Sequence, residues 1–352
     1  MTCLLKFIPV IYSTVIKTKK TKILFTVTKR IGDSIAITPA IRAVAKNYPN
    51  SDITVICKKN LRDVFILNSH VSNVICLNTP MAKIIRFFTF FKKFDQCFAY
   101  TENFSFIKLS SRISRKTYSF IPDNKKNYIN GINYIERFSS EDRPHIIIEN
   151  LELVCHNKIA HDGYRMDFAV SQEELLEARN PLHALKINNS ELVCLKIKSH
   201  PQKSFRDWPI ERFSELITRI LKKSPKTKFI IVGSPSESEY AEILKKKYPD
   251  SVFVFCNQNL RKTAAILYSC DIYIGVDTGI TQLACCSNIP IIGLYHCLIK
   301  KEKAGPLDYP HDYSINMPVS SRNCVRDENS MNIISSQMVF DQYLKINKSL
   351  KR

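Results

Sequence analysis

Three short segments gather the residue types that work on phosphates and hydroxyls. The first is Thr28-Lys29-Arg30-Ile31-Gly32-Asp33, which follows an apolar run and precedes a helical pattern. Gly32 lets backbone approach a ligand, and Asp33 stands where a carboxylate either caps the next helix or serves as a base in a cleft. The second, Lys203-Ser204-Phe205-Arg206-Asp207-Trp208-Pro209, sets the only tryptophan and two cations just ahead of an amphipathic helix. Backbone N–H groups and the positive end of a helix dipole favour phosphate there. The same residues also fit a plainer role, with Trp208 anchoring the helix and the cations solvated. In the third, Gly275-Val276-Asp277-Thr278-Gly279-Ile280-Thr281-Gln282, Asp277 and Thr278 can cap a helix while Gly279 leaves N–H groups bare for a ligand. Capping and binding are compatible at that turn.

These segments need strands and helices to aim them. From residue 22 onward short β-branched runs alternate with longer helical patterns, the signature of βαβ units and a parallel sheet. One array has strands at Lys22 to Val27, Asp52 to Cys57, Asn73 to Leu77 and Asp95 to Tyr100, with a helix from about Ser34 to Asn47. Between 110 and 170 the pattern loosens around Arg112, Arg115, Lys116, Lys125 and Lys126, and loops and helices are expected. A second array has strands at Leu192 to Ile197, Lys228 to Val232, Val252 to Phe255, Asp271 to Val276 and Pro290 to Leu294. Its helices are Pro209 to Lys223, Glu237 to Lys247, Leu260 to Ser269 and Ile280 to Cys286. In the first of these Ile210, Phe213, Leu216, Ile217, Ile220 and Leu221 share one face, and Pro209 suits the first helical position. The expected class is α/β with two facing Rossmann-like domains and a cleft between them. The expected boundaries are an extension over 1–21, a first Rossmann-like domain over 22–170, a linker over 171–190 and a second Rossmann-like domain over 191–352. In open parallel sheets ligands sit beyond the carboxyl ends of the strands, where all three segments fall.

Composition narrows the partners. The chain has 352 residues, and its 52 Lys+Arg against 32 Asp+Glu give a net charge of +20. That excess points to an anionic partner: nucleic acid, an anionic membrane surface or a phosphorylated substrate. The lysines are scattered and no RNP-like motif, zinc finger or dense basic helix occurs, so nucleic acid is not expected. The 12 cysteines contain no C-x-x-C pair or spaced Cys/His cluster and mostly sit in apolar runs. They read as small buried hydrophobes in a reducing compartment. Covalent catalysis is not expected either. His156, His161 and His200 are isolated in the sequence, no G-x-S-x-G elbow occurs, and Cys285-Cys286 lies in an apolar helix. Residues 4–16 are apolar but too short to span a bilayer, and the lysines after them leave two readings: a packed or frayed extension, or a membrane-surface anchor.

Taken together, the motifs resemble glycosyltransferase family 9, the ADP-heptose:lipopolysaccharide heptosyltransferases. The resemblance rests on Ile31-Gly32-Asp33 leading to Pro39-Ala40-Ile41-Arg42 and Tyr48-Pro49; on Arg206-Asp207-Trp208-Pro209 followed by Glu211-Arg212-Phe213; on Val232-Gly233-Ser234-Pro235-Ser236-Glu237; and on Val276-Asp277-Thr278-Gly279 running to Pro290 and Gly293. It implies a GT-B fold and transfer, with inversion, of a heptose from ADP-heptose to the lipopolysaccharide inner core. By the same resemblance Asp33 matches the general base and Glu237 the acidic contact to the ribose. Asp277, Thr278 and Gly279 match the loop that holds diphosphate and sugar. Lys203 and Arg206 would then meet the leaving diphosphate, and Thr28, Lys29, Arg30 and Gly32 would border the acceptor. Gln282 stands where the family commonly has histidine, and Arg206 where it commonly has lysine. These two departures leave open another nucleotide sugar, or binding without transfer. No two aspartates are separated by one residue, so the Asp-x-Asp metal motif of the other large glycosyltransferase fold is absent. Neither metal nor cofactor is expected. The resemblance places the protein in the cytoplasm, peripheral on the inner face of the cytoplasmic membrane.

Overall fold

The computed structural model describes residues 20–82, 92–122, 128–138, 143–185, 190–319, 324–327 and 330–349. The expected N-terminal extension lies outside these as far as residue 19. The first half runs β1 (Thr21–Val27), α1 (Ile31–Ile35), α2 (Thr38–Asn47), β2 (Ser51–Cys57), α3 (Arg62–Phe65), β3 (Asn73–Cys76), β4 (Phe94–Tyr100), α4 (Phe104–Ile113), β5 (Ser114–Phe120), β6 (Asn133–Ile135) and α5 (Ile146–Cys155). Its strands are parallel, in the order β3-β2-β1-β4-β5-β6. After α6 (Gln172–Leu185) come β7 (Leu192–Lys196), α7 (Ile210–Lys223), β8 (Lys228–Gly233), α8 (Ser238–Lys247), β9 (Val252–Cys256) and α9 (Leu260–Tyr268). The chain continues with β10 (Ile272–Val276), α10 (Gly279–Ala284), β11 (Ile291–Tyr295), α11 (Lys301–Ala304), β12 (Ile315–Asn316) and α12 (Ser336–Ser349). This sheet is ordered β12-β11-β10-β7-β8-β9 and is also parallel. Counted from its own first strand, it repeats the doubly wound order of the first sheet.

Strand periodicity sorts the side chains between layers. In β7, Leu192 and Cys194 join a cluster that also holds Phe25, Ile35, Val44, Leu267 and Leu283, so one core is shared by both halves. Val193 and Leu195 point the other way, to a cluster with Trp208, Phe213, Ile217 and Tyr343. Every residue of β7, β10 and β11 is buried, which is why those strands read as unbroken apolar runs. Each large side chain fully buried this way contributes about 1.5–3 kcal/mol.

Three expectations need correction. Residues 110–170 hold two strands, β5 and β6, besides helix. Arg115 and Lys116 are exposed and β6 has three residues, so neither strand shows a period of two. Helix α6 occupies most of the expected linker over 171–190 and continues through Asn180-Pro181. Ala178 and Leu182 are buried on either side of the proline, and Arg261 of α9 grips Glu174 at 2.8 and 2.5 Å. Helix α7 begins at Ile210, with Pro209 as its N-cap rather than its first residue. Finally, Cys57, Cys97, Cys194, Cys270 and Cys285 are buried as hydrophobes, but Cys297 and Cys324 are joined in a disulfide. They lie 27 residues apart in sequence and meet only because 324–327 returns beside the end of β11. Among the described residues no helix is long and apolar enough to cross a membrane.

Helix α2 is locked to the segment that leads into α6. Arg42 donates to Asp162 at 2.9 and 3.2 Å and to the Arg165 carbonyl at 2.7 Å, and it pairs with Asp167; Lys46 reaches Asp162 as well. Burial alone would raise the Asp162 carboxyl, but the bonds from Lys46 and Arg42 outweigh it and hold the group at about 2, below the usual 3.8. A carboxylate with a depressed folded pKa stabilises the fold above its unfolded value and loses that contribution as pH falls through the folded one. The urea midpoint of Asp162→Asn should therefore lie below wild type from pH 5 to 7, with the gap closing between about pH 4 and pH 2. A gap that stays constant over that window would mean the pair does not stabilise the fold.

Candidate functional site

The turns after β1, β7, β8 and β10 converge between the two sheets. At their centre the first turns of α1 and α10 meet backbone to backbone. A Cβ on Gly32 would stand 3.0 Å from the Gly279 Cα and 3.2 Å from the Gln282 Cγ, and one on Gly279 would stand 3.1 Å from the Gly32 nitrogen. A side chain at either position would be tighter than ordinary contact and would make the facing backbone give way. Two cavities flank it. The smaller, about 550 Å³, has walls that include Arg143, Glu149, Lys203, Arg206, Asp277 and Gln282. The larger, about 1310 Å³, has walls that include Thr28, Lys29, Lys196, Ser234, Glu237 and Gln258. Both share Arg30, Gly32, Asp33, Ser199, His200, Thr278 and Gly279. All twelve residues singled out from sequence thus line one cavity or both.

Asp33 is not an N-cap. Helix α1 begins at Ile31, with Arg30 in the capping position, so Asp33 sits in the first turn, where the helix dipole favours an anion. Its carboxylate accepts no hydrogen bond from any described residue and lies within the field of Lys29, Lys203 and Arg206. Lys29 is 3.8 Å from Glu102, which also holds Arg137 at 2.9 Å. Burial, followed by repulsion from Arg137, lowers the Lys29 ammonium despite Glu102 and Asp33. Thr28 and Thr101 share a hydroxyl contact beneath this group.

On the opposite wall the tryptophan segment both anchors its helix and lines a cavity, and Arg206 is buried rather than solvated. Trp208 is an anchor: its Nε1 donates to the Ile334 carbonyl at 2.7 Å and its ring meets Phe213 edge-on. Lys203 and Arg206 nevertheless line the smaller cavity. Arg206 is buried and donates to Asp277 at 2.8 Å, while its Nε finds no hydrogen-bond partner among the described residues. Burial pushes the Asp277 carboxyl up, against the pull of Arg206 and Lys203. Burial and repulsion from Arg206 and Arg30 lower the Lys203 ammonium. The site is therefore crowded with cations that a polyanion would relieve. The Thr278 N–H donates to Thr281 Oγ1 at 3.2 Å, which caps α10 while Gly279 stays bare.

Glu237 is committed within its own half. One carboxylate oxygen accepts from the Ser234 N–H at 2.9 Å and from the Ser234 hydroxyl at 3.0 Å, and the other pairs with Lys196. Both charged side chains are buried, at 5% and 6% exposure. Gln282 donates to the Ala304 carbonyl, and its Oε1 is buried without a partner among the described residues. His145 caps α5 and donates through Nε2 to the Gly305 carbonyl at 3.0 Å, so α11 and the end of α5 close the smaller cavity from both halves.

Lys196, Ser199, Arg143, Glu149 and Lys303 line the site without having been singled out. Lys196 had a usable signal, since it is a charge at the end of an apolar strand just before a turn. Arg143 and Ser199 come from loops, while Glu149 stands in the first turn of α5 and Lys303 in the short helix α11. His200, isolated in the sequence, is exposed and faces both cavities.

Residues 118–332 match the model of glycosyltransferase family 9 (heptosyltransferase). Three solved structures share the architecture. A family 9 glycosyl transferase from Veillonella parvula DSM 2008 is 18% identical with a TM-score of 0.78, covering 93% of this chain and 97% of its own. The E. coli ADP-heptose LPS heptosyltransferase II is 14% identical with a TM-score of 0.76, over 94% of this chain and all of its own. E. coli heptosyltransferase WaaC with ADP is 16% identical with a TM-score of 0.70, over 93% of this chain and all of its own. The two-sheet architecture is the GT-B fold expected from sequence. No curated protein sequence matches the chain.

The Lys196–Glu237 pair gives a direct test of the wall it supports. Lys196→Met leaves a buried carboxylate without its cation and should cost about 3–5 kcal/mol in urea unfolding. Adding Glu237→Leu should recover most of that loss. If the double variant were no better than the single one, Lys196 would matter for packing and not for charge.

Proposed function

We propose, from the premise that this chain belongs to glycosyltransferase family 9, that it moves a heptose from ADP-heptose to the lipopolysaccharide inner core with inversion. The observation that carries the reading is Asp33: a carboxylate free of hydrogen bonds from the described residues, on the wall common to both cavities, beside the bare Gly279 turn. The structures similar to this chain include a heptosyltransferase with ADP, which favours an adenine nucleotide as donor.

In this reaction the acceptor hydroxyl enters from the larger cavity and Asp33 takes its proton as the new C–O bond forms at the anomeric carbon. The bond from that carbon to the diphosphate oxygen breaks, and ADP leaves with the electron pair. Lys203, Arg206 and the turn at Asp277, Thr278 and Gly279 stabilise the charge that grows on the diphosphate. These cations supply the neutralisation without a metal ion. Glu237, fixed by Lys196 and Ser234, presents the rim of its carboxylate to the ribose. Thr28, Lys29, Arg30 and Gly32 border the acceptor, and Lys29 and Arg30 suit its anionic groups. The halves meeting at Gly32 and Gly279 correspond to an acceptor domain over 22–170 and a nucleotide domain over 191–352, with α6 joining them. The charge of +20 fits work on an anionic glycolipid at the inner face of the cytoplasmic membrane, with peripheral contact and no nucleic acid.

Gln282 favours a second donor reading. Its amide is tied to Ala304 and has no positive charge for a sugar diphosphate, so a nucleotide sugar other than ADP-heptose, or binding without transfer, competes with the first reading. Thermal shift with ADP-, UDP- and GDP-sugars separates them, because the preferred donor raises the melting temperature most.

Asp33→Ala should lower turnover by about 10²–10⁴-fold and leave ADP affinity unchanged. Turnover near the wild-type rate would remove Asp33 from its role. Mass analysis of the lipopolysaccharide core from a strain without the protein should show loss of one heptose-sized unit, and an unchanged core would contradict the acceptor assignment.

A further inference from the structure

Behind the cation segment lies a group of side chains that the transfer reaction does not use. Strand β11 runs into His296 and Cys297, and residues 324–327 return beside them. His296 is fully buried and Cys297 nearly so, while Cys324 is half-buried. The His296 Nδ1 lies 3.8 Å from each sulfur, and among the described residues these are the three donors that come close enough together to share one ion.

The ring is held in the tautomer whose Nδ1 carries the lone pair, and a metal would take that lone pair in place of the Leu298 N–H. The Leu298 N–H donates to Nδ1 at 3.2 Å, which leaves the ring proton on Nε2, where Ser330 Oγ accepts it at 3.0 Å. A metal-bound imidazole needs this neutral tautomer, with its far N–H held by an outer partner. The distances agree as well. Zinc–sulfur bonds of about 2.3 Å and zinc–nitrogen bonds of about 2.0–2.1 Å in a tetrahedral site place nitrogen about 3.6 Å and sulfur about 3.8 Å from the second sulfur. The nitrogen already stands at that range from both sulfurs. The 5.9 Å between the Cys297 and Cys324 Cα atoms leaves room for the sulfurs to separate by side-chain rotation.

We propose that His296, Cys297 and Cys324, once the two cysteines are reduced, form a binding site for a thiophilic divalent cation of the zinc class. Reduction gives two thiols: a phosphine supplies two electrons and becomes its oxide, with the oxygen and two protons from water, whereas a dithiol supplies both electrons and both protons and becomes a disulfide. Binding then releases those two protons as the thiolates coordinate, with no change in the metal's oxidation state. Disulfide and metal exclude one another. Either one ties residues 324–327 to the end of β11, where Arg326 lies 5.6 Å over the Phe205 ring and Phe205 meets His296 edge-on at 4.9 Å. Phe205 precedes Arg206, so the occupant steadies the segment that presents Lys203 and Arg206 to the smaller cavity. Metal binding itself does not depend on the donor assigned above.

The test uses the full-length protein, reduced with a phosphine, desalted without oxygen, and titrated with Zn²⁺ and with Co²⁺ as a spectroscopic probe. One equivalent should bind, with a thiolate-to-cobalt charge-transfer band and the loss of two reactive thiols. Cys297→Ser and Cys324→Ser should each abolish the band, and His296→Gln should weaken binding by about 10–100-fold. Cys76→Ser, at a cysteine that pairs in register with Cys57 on the neighbouring strand, should change nothing. Circular dichroism confirms that each variant is folded, and Cys324→Ser, on a loop, is the variant least exposed to misfolding. The proposal is overturned if fully reduced wild-type protein binds no stoichiometric metal. It is equally overturned if the band survives in Cys324→Ser or disappears in Cys76→Ser.

Discussion

The contact between Gly32 and Gly279 governs the geometry of everything around it. Each glycine opens a short helix after the first or the fourth strand of its own sheet, and each stands within van der Waals range of the other's backbone. Because neither carries a side chain, the carboxyl ends of two parallel sheets come close enough for one wall to serve two cavities. The shared hydrophobic core beneath, from Phe25 and Ile35 to Leu267 and Leu283, holds that approach in place. Asp33 gains its position from the same contact, since it lies one residue after Gly32 in the first turn of α1.

Charge is arranged around this contact in two tiers. Pairs buried within the second half, Arg206 with Asp277 and Lys196 with Glu237, shape the walls and would be costly to break singly. Less completely paired cations, Lys29, Arg30 and Lys203, face the cavities, and burial together with mutual repulsion lowers the ammonium groups of Lys29 and Lys203. A bound diphosphate would relieve that repulsion, so the proposed donor and the electrostatics of the fold point the same way. The net charge of +20 extends the same preference for anions over the whole surface.

Much of this was legible in the sequence because buried parallel strands write themselves as apolar runs. Leu192 to Lys196 and Ile272 to Val276 are examples, and the turns that follow such strands line the cavities. All twelve residues chosen from those turns line the cavities. What escaped was whatever depended on distant partners. Strands β5 and β6 sit toward one edge of the sheet, where Arg115 and Lys116 blur the alternation. Asp33 was open to reading as a cap because the start of α1 at Ile31 leaves no side-chain cap to mark it. Arg143 reaches the site from a loop and Glu149 and Lys303 from the helices α5 and α11, and Cys297 meets Cys324 only through the folded path of the chain.

The central claim is that the bare glycine contact builds the donor site. Calorimetric titration of ADP into wild type and Gly279→Val tests it most directly. A valine there must push the Gly32 backbone away and intrude on the wall common to both cavities. The account predicts that ADP binds at least about tenfold more weakly, about 1.4 kcal/mol, to a variant with wild-type circular dichroism. ADP affinity equal to wild type in that folded variant would contradict it.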